Sequence, residues 1–245
     1  MRHAPLALCA ALIGSTGAAA QSAGPVLALE ATSDLRARGL SWSGGRAAAR
    51  AFADLPVAGG FSVSATAASL RGSARHGGAD LGLDLGAGWR TDRGPWRFLA
   101  GATGHVFAGR SRLNYAEGEG AVSYLIGPAT IGLAAAYAPR QAAIGGDNLH
   151  LGLTLDLGIP GTPCTLDGGV GHSSGEAAGR HPERAARLRP DGDYWDYRVG
   201  VTYVRGRHAL GLRLTGTSID GARPPAPYQD AHVGTRLAAA WQVQL

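Results

Sequence analysis

The chain contains no lysine, one methionine and two cysteines, and aromatic residues make up only 7% of it; each shortage removes a class of molecule. All 23 basic residues are therefore arginine. They are scattered over candidate loops with no basic helix or interleaved aromatic platform, so the net charge of +5 does not describe a nucleic-acid-binding surface. Cys164 stands alone once Cys9 is assigned to the leader described below, which rules out an internal disulfide. The eight histidines sit singly, with no cysteine or carboxylate at ligand spacing, so no metal and no other cofactor is expected. Charged residues amount to 17% and mean hydropathy is near zero, a composition that fits neither a disordered tail nor a bundle of membrane-spanning helices. Beyond the leader no apolar run approaches the ~20 residues of a spanning helix, so any membrane contact must be made by strands.

What the chain does have is glycine, 39 residues of it, and a leader. Arg2 and His3 precede an apolar run from Leu6 to Ile13, and small residues close on Ala18, Ala19 and Ala20 before Gln21. This pattern predicts a secretory signal peptide over residues 1–20, leaving residues 21–245 as one domain that is exported from the cytoplasm.

Period-two alternation runs through that domain. In "ADLGLDLGAGW" Leu81, Leu83, Leu85, Ala87 and Trp89 fall on one face, and Gly82, Asp84, Gly86 and Gly88 on the other. "DNLHLGLTLDLG" repeats the arrangement, with Leu149 to Leu157 opposite His150, Thr154 and Asp156. Counting the weaker segments near 25–33, 46–55, 113–126, 129–138 and 163–172, the pattern predicts twelve strands; 46–55 has the strongest helical alternative. The connections alternate in length. "PVAGG", "TDRG", "GP", "GIPGT" and "RGR" are brief, whereas the intervening ones, such as "DLRARGLSWSGG" and the stretch 173–193, are mostly longer. Short periplasmic turns and longer extracellular loops are what a transmembrane, antiparallel, up-and-down β-barrel requires. Trp241, Val243 and Leu245 share a face at the chain end, as in a terminal outer-membrane strand presented to the barrel-assembly machinery.

"TSDLRARGLSWS" supplies Ser33, Asp34, Arg36, Arg38, Gly39, Ser41 and Ser43 in the pattern T-S-D-Y-R-F-R-G-x-S-x-S, with Leu35 and Ala37 in place of aromatics. Together with "GDYWDYRVGVTY" this stretch resembles the TorF family of outer-membrane porins. The resemblance implies a bacterial outer-membrane location and a channel for passive diffusion of small polar or charged solutes, with no enzymatic step.

If the leucine faces meet lipid, the opposite faces line the lumen. The pore-lining candidates are Glu30, Arg50, Asp84, Arg97, Glu117, Glu119, Asp156, Asp167, Asp196, Arg198, Arg213 and Arg236, with His105 and His150 among them as hydrogen-bonding groups. The extracellular mouth candidates are Asp34, Arg36 and Arg38 in the first loop and Arg180, Arg184, Arg187 and Arg189 in the fifth long loop. Guanidinium groups there suit lipopolysaccharide phosphates or solute anions. Twelve strands also enclose little space, so a closed, structural or lipid-interacting barrel is the alternative. "GHSSG" matches a nucleophile motif around Ser173, but no strand–turn–helix surrounds it, and adjacent His172 points to the opposite face; a lipid hydrolase is the third reading.

Overall fold

A computed structural model describes residues 24–220 and 227–245; the leader expected at 1–20 lies outside the described residues. Fourteen strands follow in chain order: β1 (Val26–Thr32), β2 (Arg36–Ala37), β3 (Leu40–Ser41), β4 (Ala48–Pro56), β5 (Phe61–Ser73), β6 (Ala79–Arg93) and β7 (Trp96–Phe107). They continue as β8 (Tyr115–Ile126), β9 (Ala129–Gln141), β10 (Gly146–Gly158), β11 (Cys164–Ser174), β12 (Tyr194–Arg205), β13 (His208–Thr217) and β14 (Arg236–Gln244). Twelve of them close one antiparallel up-and-down barrel, with β1 paired to both β4 and β14. The segment with a helical alternative, 46–55, falls mostly in strand β4, and Ser173 belongs to β11 and not to the following loop. The two remaining strands, β2 and β3, form a separate hairpin inside the first long loop, an element the alternation did not reveal.

The barrel turns its oily side chains outward. Leu85 is 57% exposed while its neighbour Asp84 is 7% exposed, and Leu151, Leu153 and Leu155 are exposed where His150, Thr154 and Asp156 are buried. Register enforces this: Asp84 sits opposite Thr66 on β5 and His105 on β7, so polar groups stack on the inner wall and leucines on the outer. Outward aromatics gather at two levels. Phe61, Trp89, Trp96, Phe98, Tyr124, Tyr203 and Trp241 ring the short-turn end, Trp96 meeting Tyr124 edge-on at 4.6 Å, and Tyr137, Trp195 and Tyr197 stand at the long-loop end. These are the amphipathic girdles of a spanning barrel.

The inner wall is kept slim by glycine. A Cβ on Gly171 would lie 2.5 Å from His150 Nε2 and 2.6 Å from Asp196 Oδ2, and one on Gly200 would lie 2.6 Å from Asp167 Oδ1. Each glycine thus lets side chains from the strands on either side of its own meet above it.

Candidate functional site

The first long loop does not stand outside the barrel; it folds into the long-loop end. Arg38 and Gly39, at φ 51 and 71, make a tight left-handed turn that reverses the β2–β3 hairpin within two residues. Gly39 is required twice over, because a Cβ there would strike Thr217 and the Gly216 carbonyl of β13. Asp34 anchors the base of the hairpin, accepting from Ser41 Oγ at 2.5 Å, Ser43 Oγ at 3.1 Å and Arg36 Nη1 at 2.8 Å. Arg36 also donates to Thr215 on the wall at 2.7 Å, and Asp230 from the last long loop accepts the Ser41 backbone N–H at 2.6 Å. At the tip, Arg38 Nη2 donates to both Glu117 oxygens at 2.8 and 3.0 Å, and the Tyr194 hydroxyl donates to the Arg38 carbonyl at 3.0 Å. Burial is the largest single influence on the Arg38 cation and opposes it, but the Glu117 carboxylate, joined by Tyr115 and Tyr194, holds the guanidinium above its ordinary pKa. Every polar residue of the "TSDLRARGLSWS" pattern therefore has a place in seating the hairpin, Ser33 included, whose hydroxyl accepts the Ala239 N–H. The second patterned stretch supplies the receiving side through Tyr194 and Asp196.

From the hairpin tip a line of charge continues into the wall. Glu117 lies 3.4 Å from His105 Nε2, and His105 Nδ1 hydrogen-bonds Asp84 at 2.7 Å. Further round, His150 Nε2 bonds Asp196 at 2.9 Å, Arg213 pairs with Asp167 at 3.1 Å, and Arg50 pairs with Glu30 at 2.8 Å. Arg97 pairs with Asp92 at 2.8 Å near the short-turn end, Arg198 approaches Asp167 at 3.8 Å, and Asp156 is buried. Glu119 faces the lumen on β8, two residues from Glu117, and Arg236 lies exposed at the start of β14.

The rest of the mouth is filled by an apolar cluster including Leu35, Trp42, Leu70, Phe107, Tyr115, Ile144 and Leu188. Two arginines are sealed inside it. Arg75 and Arg187, 2% and 0% exposed, form no ion pair with a carboxylate among the described residues. Arg187 instead donates to the carbonyls of Leu113 at 2.8 Å and Ala143 at 2.7 Å and lies over the Phe107 and Tyr115 rings, while Arg75 lies over Trp42. Between them His76 stacks on Phe107 at 4.7 Å and leans on Trp42 at 4.6 Å. Burial, and then the nearby Arg75 and Arg187 cations, push its pKa well below the ordinary 6.5; burial also brings Arg187 down to about 10.

The mouth candidates Arg187 and Arg189 do lie at the long-loop end, but both are buried there instead of facing solvent. The turn over Pro182–Arg187 tucks inward, so Arg187 is enclosed and Arg189 is buried against the Gly175 carbonyl and Asp193. Asp34, Arg36 and Arg38 likewise close the mouth from within. Of the fifth-loop set Arg180 is exposed, Arg184 being half-buried and reaching the Ala142 carbonyl at 3.1 Å. Beneath the hairpin lies a chamber of about 140 Å³, bounded by Glu30, Arg50, Asp196, Arg198, Arg213 and Gln242 as well as by the hairpin itself. Reasoning from the sequence missed Tyr194, Asp230, Arg75 and His76. Tyr194 lay within a patterned stretch, whereas "SARHGG" carries no local sign that its arginine and histidine turn inward.

Ser173 is fully buried on the inner wall, directly opposite His150, which bonds Asp196. No hydrogen bond joins Ser173 to His150, and the hydroxyl faces away from lipid. No cluster of metal-ligating side chains occurs among the described residues.

A family model described as "Bacterial protein of unknown function (Gcw_chp)" matches residues 18–244. No curated protein matches the chain. Among solved structures it is similar to the NanC porin, at 9% identity and a TM-score of 0.59, covering 89% of this chain and 98% of that one. It is also similar to the COG4313 outer membrane channel from Pseudomonas putida F1, at 11% identity and a TM-score of 0.56, covering 92% and 97%. At such identities the likeness is one of fold, and the fold is that of outer-membrane barrels.

Proposed function

The chain belongs to the Gcw_chp family of bacterial proteins of unknown function, and from that premise we propose that it is a porin-like channel of the outer membrane, closed at its outer mouth by the β2–β3 hairpin. Small polar or charged solutes diffuse through it passively, with no catalytic step. The observation that carries this reading is a charged chamber lying under a stopper whose tip is held by polar contacts, chiefly Arg38 with Glu117 and Tyr194. Water can replace such contacts when the hairpin swings out, whereas a strand of the wall has no alternative partner in lipid. The TorF-like pattern supports the reading, since its residues are those that build and seat the stopper. Lipopolysaccharide phosphates are the proposed partners of exposed rim arginines such as Arg180, and the barrel-assembly machinery that of the terminal strand.

Planar-bilayer recordings of the refolded protein test this against a variant in which residues 36–41 are replaced by a glycine–serine linker. Infrequent openings in the wild type and sustained, larger steps in the variant are expected. Silence from both folded proteins would favour the second reading, a sealed structural barrel, which the arginine-filled apolar cluster favours.

A further inference from the structure

We propose that the sealed centre of the outer mouth formed by Arg75, His76 and Arg187 is a binding site for one monatomic anion of chloride size, which ties the fifth long loop to the turn after β5. Such a site serves a conducting barrel and a sealed one alike. Arg75 lies in the turn Ala74–His76 and Arg187 closes the turn Pro182–Arg187; the Nε of each donates to the backbone carbonyl of the other, so the two cations are locked together. Both are enclosed, and a pKa of about 10 still leaves Arg187 charged at neutral pH. No carboxylate of the chain neutralises them. All 18 Asp and Glu side chains belong to the described residues, so none remains to arrive from the segments outside them. Asp230, which acts on Arg75 through space, is engaged by the backbone N–H groups of Ser41 and His232. After burial, the influences on Arg187 come from Tyr115, Arg75, Tyr228 and Arg184, none of them a carboxylate.

The polar groups left over around this pair are donors. Arg75 Nη1, Arg187 Nη2 and Trp42 Nε1 are buried without a hydrogen-bond partner, and none of the three can accept. Both ring nitrogens of His76 are unpartnered as well, and a neutral imidazole contributes one further donor. These side chains gather at one stack of rings. The Arg75 guanidinium carbon lies 5.4 Å and the His76 ring 4.6 Å from the centre of Trp42, while the Phe107 ring lies 4.7 Å from His76 and 4.8 Å from the Arg187 guanidinium carbon. A water molecule would bring two hydrogens of its own to a place where the carbonyls of Arg75, Leu113, Ala143 and Arg187 already accept from the guanidiniums. It would also leave two buried cations uncompensated, whereas an anion satisfies the donors and the charge together. The donors decide the size. An oxyanion seeks the paired N–H edge of a guanidinium fork, but Nε of both arginines and Nη1 of Arg187 are committed to carbonyls, and the single N–H groups that remain suit a spherical ion.

Two measurements on the mature protein refolded in detergent test the site. In thermal unfolding at constant ionic strength and neutral pH, exchanging sodium gluconate for sodium chloride should raise the midpoint saturably, by roughly 3 °C or more at about 150 mM chloride. Arg75→Met with Arg187→Met replaces both buried cations by apolar side chains and should lose that chloride dependence. Separately, crystals of the wild type soaked in sodium bromide should show anomalous density in contact with Arg75 Nη1 or Arg187 Nη2, a readout that does not depend on the folding of the double variant. Equal midpoints in gluconate and chloride, with no bromide at the arginines, overturn the assignment. A chloride dependence that survives intact in the folded double variant overturns it too, since the ion would then lie elsewhere. Stabilisation by sodium phosphate with none by chloride overturns the monatomic ion.

Discussion

On the inner wall, the absence of a side chain is what allows pairs of charged groups to form. His150 on β10 reaches Asp196 on β12 only because Gly171 on β11 leaves the intervening space empty, and Arg213 on β13 reaches Asp167 on β11 over Gly200 on β12. Gly171→Val would drive a methyl-bearing carbon into both partners of the His150–Asp196 bond. The expected loss is about 1–3 kcal/mol in urea unfolding of the reconstituted barrel. An unchanged midpoint would show that the bond is dispensable. The outer face obeys a different rule: Leu153 projects from the middle of β10 into lipid, so Leu153→Arg should cost about 2–4 kcal/mol in the same assay. A negligible cost there would contradict the placement of that face.

At the scale of elements, the barrel strands were legible and the hairpin was not. Alternation marks β6 and β10 without ambiguity because each has one face in lipid and one in the lumen. In β2 and β3 only four residues pair, and their Arg-Gly turn lacks the Asn-Gly or Asp-Gly signature of a two-residue hairpin. "DLRARGLSWSGG" therefore reads as an ordinary long loop, although its spaced arginines and serines are the contacts that turn it inward. Arg38→Ala would leave Glu117 buried beside His105 without its strongest partner. The closed state should weaken by about 3 kcal/mol, read as a sharply raised open probability in bilayers and faster trypsin cleavage after Arg36. Unaltered gating and proteolysis would mean that the hairpin is held by its base alone.

Along its axis the barrel holds a packed apolar cluster at the long-loop end and a chamber lined by charged and polar side chains beneath the hairpin. The long-loop end encloses Arg75, Arg187 and His76 together, with His105 also close to the imidazole, and among the described residues no carboxylate pairs with any of the first three. Because the folded pKa of His76 is depressed below the ordinary 6.5, the unfolded or opened form binds the proton more tightly. The closed mouth is therefore at full stability above about pH 6.5 and loses it as the pH falls. Acidification from pH 7.5 to 5 should raise the open probability, and His76→Phe, which keeps the aromatic stack, should flatten that dependence. A pH response unchanged by the substitution would assign it to another group.

The sequence alone determined the closed sheet, the number of its spanning strands, the direction of its two faces and which end carries the long loops. Those features follow from solvent on one side of a strand and lipid on the other, a requirement imposed residue by residue and so recorded in the order of residues. It also marked the two patterned stretches, without showing that they meet. Only the tertiary structure decided that the first loop enters the lumen, that Tyr194 receives its tip, and that Arg75 and Arg187 are sealed inside. Each of these depends on partners more than a hundred residues away, and no local period or propensity encodes a contact made across the barrel.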